Sequence, residues 1–121
     1  MSDPEYAISV QSGYVLVETP PDFNVVWIEQ PPMLQAISAA CSEAGCKKVL
    51  LRGSNTKVKL KPMEIFELGA EIAKLHLMLA IVQSHDASKE DEDFLKNVAA
   101  NRGSSIQFFD NEQDARYWLG V

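Results

Sequence analysis

The sequence predicts an α/β domain: a mixed five-stranded sheet that opens with an N-terminal hairpin and is flanked by about four helices. Three observations carry this. Short apolar runs alternate with stretches of helical periodicity, which is the pattern of a sheet with a parallel core. Two early runs rich in Val, Ile and Tyr have Ser12-Gly13 between them, a hairpin signal that adds at least one antiparallel strand. The chain is 121 residues long, 46% hydrophobic and 23% charged. That suits one domain over 1–121, and it excludes a disordered chain, a coiled coil or a disulfide scaffold.

Each element has its own reason. Tyr6 to Val10 and Tyr14 to Thr19 form the hairpin. Residues 20–32 lie between Pro20-Pro21 and Pro31-Pro32. Within them, Asn24 to Ile28 suit a short strand or a turn of helix equally. Pro31 and Pro32 fit the first turn of a helix, where a missing N–H costs nothing. Met33, Leu34, Ile37, Cys41 and Ala44 follow at helical spacing, and Gly45 ends the helix. Lys48 to Arg52, with Val49-Leu50-Leu51 inside it, reads as a buried strand. Pro62 opens a second helix with Glu64 in its first turn and Lys74 and His76 at its end, as the helix dipole favours. Ile65, Leu68, Ile72 and Leu75 form its stripe, widened by Phe66, Ala70 and Ala73. Gly69 would let its backbone approach a sheet closely. Leu77 to Val82 is the next buried strand. Ser88 reads as an N-cap, with Asp91 three residues on, and Phe94, Leu95, Val98 and Ala99 form the apolar face of a third helix stopped by Gly103. Ser105 to Phe109 is the last strand. Asp110, with Gln113 three residues later, starts a terminal helix buried through Ala115, Trp118 and Leu119. Right-handed crossovers place the helices on the sheet faces.

Asn101-Arg102-Gly103, an apolar strand, Phe109-Asp110, Glu112 to Ala115 and Trp118-Leu119 together resemble the SpoIIAA-like family. That family is a branch of the STAS fold, with similarity to Sec14 lipid-binding domains. Val49-Leu50-Leu51 followed by Pro62 to Ala73 is similar to the family's central strand and helix. The resemblance spans roughly residues 6–119. It implies a small cytoplasmic bacterial protein of mixed five-stranded sheet, and it makes a homodimer plausible. It also implies a Ser or Thr open to phosphorylation after the central strand, in an Asp-x-Ser-like segment. Here that segment reads Leu51-Arg52-Gly53-Ser54-Asn55-Thr56-Lys57, so Ser54 is the loose match and Arg52 stands where an acid belongs.

Seventeen acids against eleven Lys and Arg give a net charge of −6. Such a body repels nucleic acid and anionic membranes unless a local basic patch overrides the total. The longest purely apolar stretch, Leu77 to Val82, is far short of the roughly 20 residues of a membrane helix. The acidic start, Met1 to Glu5, lacks the apolar core of a signal peptide. Two cysteines do not staple a fold of this size, so the cytoplasm is the default location.

The charge is unevenly spread. Lys47, Lys48, Arg52, Lys57, Lys59 and Lys61 are six of the eleven basic residues, and no acid lies between Glu43 and Glu64. In an open α/β sheet the loops after the strand ends line the ligand crevice. A loop from Arg52 to Lys61 would lie there and lead into a helix N-terminus, which favours an anion. Arg52, Gly53, Ser54, Asn55, Thr56 and Lys57 are therefore the candidate anion- or partner-binding residues, with His85 as neighbour. The plainer alternative is a solvated basic segment whose lysines guard an edge. It is not a P-loop, since the Gly-Lys-Ser/Thr ending is missing. Ser54, His85 and Asp110 all follow parallel strands and suggest a nucleophile, base and orienting carboxylate. No G-x-S-x-G elbow accompanies them, and Asp110 is equally an N-cap. Cys41 and Cys46 match neither C-x-x-C nor a zinc pair; Cys41 fits the core and Cys46 a turn. A metal site would need His76 beside Cys46 and two further ligands. The acids from Glu90 to Asp93 suit a helix start. Trp118 suits the core, and Trp27 suits an exposed interface anchor.

These readings favour a non-enzymatic binding or regulatory module acting through the basic 52–61 loop, with no cofactor or metal. Its counterpart would be a protein partner or a small anionic or apolar ligand. The alternatives are a Sec14-like carrier of a small or lipid-like molecule, and a hydrolase using Ser54 and His85.

Overall fold

The apolar runs pair side by side. The computed structural model describes residues 5–121, apart from the side chain of Gln83. The expectation that the acidic start is no leader falls largely on residues 1–4, outside the described residues. β1 (Ala7–Val10) and β2 (Val15–Glu18) form the expected antiparallel hairpin. β3 (Asn24–Val25) and a 3-10 turn over Trp27–Glu29 precede α1 (Gln30–Ala44). Then follow β4 (Lys48–Val58), α2 (Pro62–Leu75), β5 (Met78–His85), α3 (Lys89–Ala100), β6 (Ser105–Phe109) and α4 (Glu112–Leu119).

The sheet runs β1-β2-β4-β5-β6, and every pairing after the hairpin is parallel. It has six strands, not five, because the two-residue β3 pairs with the far end of β4. Successive side chains of a strand point to opposite faces, and here both faces are apolar. Val15, Val17, Val49, Leu79, Ile81 and Ile106 form one core with residues of α1, α2 and α3. Tyr14, Leu16, Leu50 and Ala80 form a second core with Ala115 and Leu119 of α4. Three helices thus cover one face and α4 alone covers the other.

The helix ends follow local chemistry. Pro31 and Pro32 occupy the first turn of α1, and Gly45 closes it at φ 68°. The amide of Cys46 donates to the Cys41 carbonyl at 3.0 Å, and that of Gly45 to the Ser42 carbonyl at 3.3 Å. This is a Schellman closure. Ser88 caps α3 by accepting from the Asp91 amide at 3.1 Å.

Several expectations need correction. The cap of α4 is Asn111, which accepts from the Asp114 amide at 2.8 Å, and Asp110 sits one residue outside it. Gly69 meets a helix instead of the sheet: a Cβ there would lie 2.9 Å from Val98 Cβ on α3. Phe66 and Phe94 leave the apolar faces and stack on the outside, ring centres 6.3 Å apart. Ala44 is exposed. Trp27 packs against the core, while its neighbour Ile28 is 83% exposed.

Candidate functional site

The segment read as a loop is mostly strand. β4 continues through Gly53–Val58, kept in the sheet by pairing with β5 on one side and β3 on the other. A bulge between Gly53 and Thr56 carries Ser54 and Asn55 out to solvent. At about 3.3 Å per residue, β4 carries Lys47 and Lys48 to one end of the molecule and Lys57, Lys59 and Lys61 to the other. The six-charge segment is therefore not one patch.

Some of its residues are also engaged. Arg52 donates to Glu18 at 2.9 Å and to Glu112 at 2.7 Å. Hydrogen bonds to Glu112 and then Glu18 hold its guanidinium more firmly protonated than usual. Asn55 adopts φ 51°; its side-chain amide donates to the Asp22 carboxylate, and its carbonyl oxygen accepts from Lys57 at 3.2 Å. Ser54 is exposed, its carbonyl accepting from the Asp22 amide at 3.1 Å. It lies within the strand, eight residues before α2 begins at Pro62. Asp86 accepts from the Val58 amide at 2.7 Å; that bond, aided by Lys59 and Lys57, holds its carboxyl below the ordinary value.

Thr56 is the exception. The bulge turns it back inside, where it is 1% exposed. Its Oγ1 is buried without a hydrogen-bond partner. Thr56 lines a cavity of about 130 Å³ between the sheet and α1, α2 and α3. The walls are apolar, with Met33, Ile37, Leu68, Leu79, Ile81 and Phe108 among them. The polar residues gather at one end: Thr19 after β2, Thr56 on β4, His85 at the end of β5, Gln30 at the start of α1, and Asp91 and Glu92 in the first turns of α3. This is the carboxyl edge of the parallel strands, the usual ligand side of such a sheet. Gly53 belongs to the same corner, since a Cβ on it would overlap Thr19 Oγ1 and lie 3.4 Å from Thr56 Oγ1.

His85 closes that end. Its Nδ1 accepts from the Ala87 amide at 3.1 Å, so its proton sits on Nε2, 2.6 Å from Glu92 Oε2. Its ring tilts against Phe108, centres 5.5 Å apart. Both ring nitrogens are used, and neither is free to accept a proton from a nucleophile. Among the described residues no hydrogen bond joins Ser54, His85 and Asp110. His76 precedes β5 and His85 ends it, so the two lie at opposite edges as expected. Cys41 and Cys46 are free thiols. Burial, then the neighbouring Cys46, pushes the Cys41 thiol up to about 11. Among the described residues no cluster of three His, Cys, Asp or Glu could hold a metal.

Sequence reasoning placed Thr56 and His85 together and missed Glu92, Gln30 and Thr19. Glu92 read as one of a run of acids suited to a helix start. Its signal was positional: four residues past the Ser88 cap, it overhangs the strand that His85 ends.

No protein-family model matches the chain, and no curated protein matches it. The class of protein is set by the fold. A crystal structure of an uncharacterised protein of the DUF3478 family from Shewanella loihica PV-4, described as having a SpoIIAA-like fold, is similar over 98% of each chain. Its TM-score is 0.50 and its sequence identity 19%. The chain has a SpoIIAA-like α/β fold, as its closing residues suggested. No helix among the described residues is long and apolar enough to cross a membrane.

Proposed function

We propose that this domain is a non-enzymatic binding module for a small, mainly apolar molecule held in the cavity between the sheet and α1–α3. The observation that carries this is the unpartnered hydroxyl of Thr56 at the polar end of a cavity whose remaining walls are apolar. An unsatisfied buried polar group costs about 1–3 kcal/mol, and a native fold that keeps one calls for a partner. The volume of about 130 Å³ indicates the size of that partner. An apolar cavity of roughly 150 Å³ holds one benzene molecule, whereas drug-sized ligands occupy roughly 300–1,000 Å³. A ring-sized molecule fits this range better than a lipid. The engaged nitrogens of His85 and the outward position of Ser54 favour binding over hydrolysis. The ion pairs of Arg52 favour this cavity over the basic segment as the site.

Benzene at millimolar concentration is the direct probe. Titrated into the labelled protein, it should shift the amide signals of Thr56, Leu79, Ile81 and His85 in a saturable way. Amides of α4, on the other face of the sheet, should stay still. Unchanged spectra up to the solubility limit of benzene would overturn the proposal.

A further inference from the structure

The same end of the cavity says which ring-sized molecules it admits. We infer that it selects an uncharged molecule carrying one oxygen and rejects carboxylates and phosphates; this rests on the cavity being a ligand site. The starts of α1, α2 and α3 all meet there, since Gln30, Ile65, Asp91 and Glu92 all line it. Three helix N-termini would ordinarily make an anion site through free N–H groups and aligned dipoles. Here each is spent.

The first turn of α1 holds Pro31 and Pro32, which have no N–H to give. The Gln30 side chain donates to the Val26 carbonyl at 3.1 Å. At α2, Pro62 again removes a donor, and the Glu64 carboxylate accepts from the Lys61 amide at 2.7 Å. At α3, Ser88 takes the Asp91 amide, and Glu90, Asp91 and Glu92 fill the first turn with negative charge.

The charges on the wall agree. Asp91 and Glu92 line the cavity, and no Lys or Arg does among the described residues. His85 offers no free ring nitrogen in this arrangement, because Nδ1 accepts the Ala87 amide and Nε2 lies 2.6 Å from Glu92 Oε2. An anion entering here would lose its hydration beside two acidic residues, with only neutral donors such as the Thr56 hydroxyl to replace it. A neutral ring with one hydroxyl or carbonyl loses little and can satisfy Thr56 Oγ1.

Benzene, phenol and benzoate, compared by the same amide titration at neutral pH, separate the cases. Phenol should bind about fivefold more tightly than benzene, the worth of one ordinary hydrogen bond. Benzoate should bind at least about tenfold more weakly than phenol. In Thr56→Val, which keeps the shape and removes the hydroxyl, phenol should fall to the level of benzene while benzene is unchanged. Benzoate binding as tightly as phenol would overturn the selectivity and leave the ligand site standing. Equal binding of phenol and benzene to the unaltered protein would overturn the role of Thr56. Binding of none of the three would overturn the ligand site and this inference with it.

Discussion

Thr56 near the end of β4 and Asp86 just past β5 face each other at one edge and show how much single side chains decide here. Thr56 offers its carbonyl to the Asp86 amide at 3.2 Å, and Asp86 returns a carboxylate oxygen to the Val58 amide. The pair clips the end of β4 to the turn after β5. Because the Val58 amide, with Lys59 and Lys57, depresses the Asp86 pKa below its ordinary 3.8, the charged form stabilises the fold. The sign follows from linkage: the contribution is present above pH 3.8 and is lost as pH falls through the lower folded-state value. Asp86→Asn keeps an acceptor and removes the charge. Denaturant unfolding should find it less stable than the parent at neutral pH, with the gap closing in acid. A gap that stayed constant down to pH 2–3, on the order of a unit below the free carboxyl, would show that charge plays no part. Such residue-level roles were only partly legible. Ser88, Gly45 and Pro31 announce themselves because caps and helix starts are local chemistry. Thr56 does not, since its burial depends on a bulge that no local pattern marks.

At the level of elements, legibility tracked how much of each element is fixed by its own residues. Ser105–Phe109 and the core of β5 were readable because an unbroken apolar run has nowhere to go but a covered strand. β4 was readable only through Arg52. Beyond it, Gly53 to Lys57 has the composition of a loop, and the segment is strand because β3 and β5 supply its hydrogen bonds from distant parts of the chain. The two-residue β3 was open for the same reason. Helix–helix contact was equally hidden: α2 and α3 lie close because Gly69 has no side chain opposite Val98. A Cβ there would sit 2.9 Å from both Cβ and Cγ1 of Val98, and a Cβ cannot swing away as a side-chain tip can. Gly69→Ala should therefore cost about 1–3 kcal/mol through overpacking, despite the better helix propensity of alanine. Adding Val98→Ala should recover part of that loss in a double-mutant cycle measured by denaturant unfolding. Two changes that simply add would mean the helices are not pressed together at this point.

The whole molecule divides its labour between the two faces of one sheet. On the α4 face, Leu50, Ala80, Ala115 and Leu119 are all 0–1% exposed, and Phe109 lies 5.7 Å from Trp118 ring to ring. On the other face three helices enclose the cavity. A packed face supplies rigidity, and an imperfectly packed face supplies room, at some cost in stability. If that division is real, the two faces should respond independently. Leu119→Ala removes a side chain buried to 1% and should cost about 2–5 kcal/mol. It should leave benzene affinity within about twofold, because sites separated by the sheet share no partners. Ile81→Phe is the opposite case. It extends a cavity-lining side chain into empty space, so it should abolish benzene binding while leaving thermal stability equal or higher, as cavity-filling changes commonly do. Each variant is read twice, by unfolding and by titration. Loss of binding in Leu119→Ala, with the fold intact by its amide spectrum, would couple the two faces. It would make the domain a single deformable core, not a rigid half that supports a receptive one.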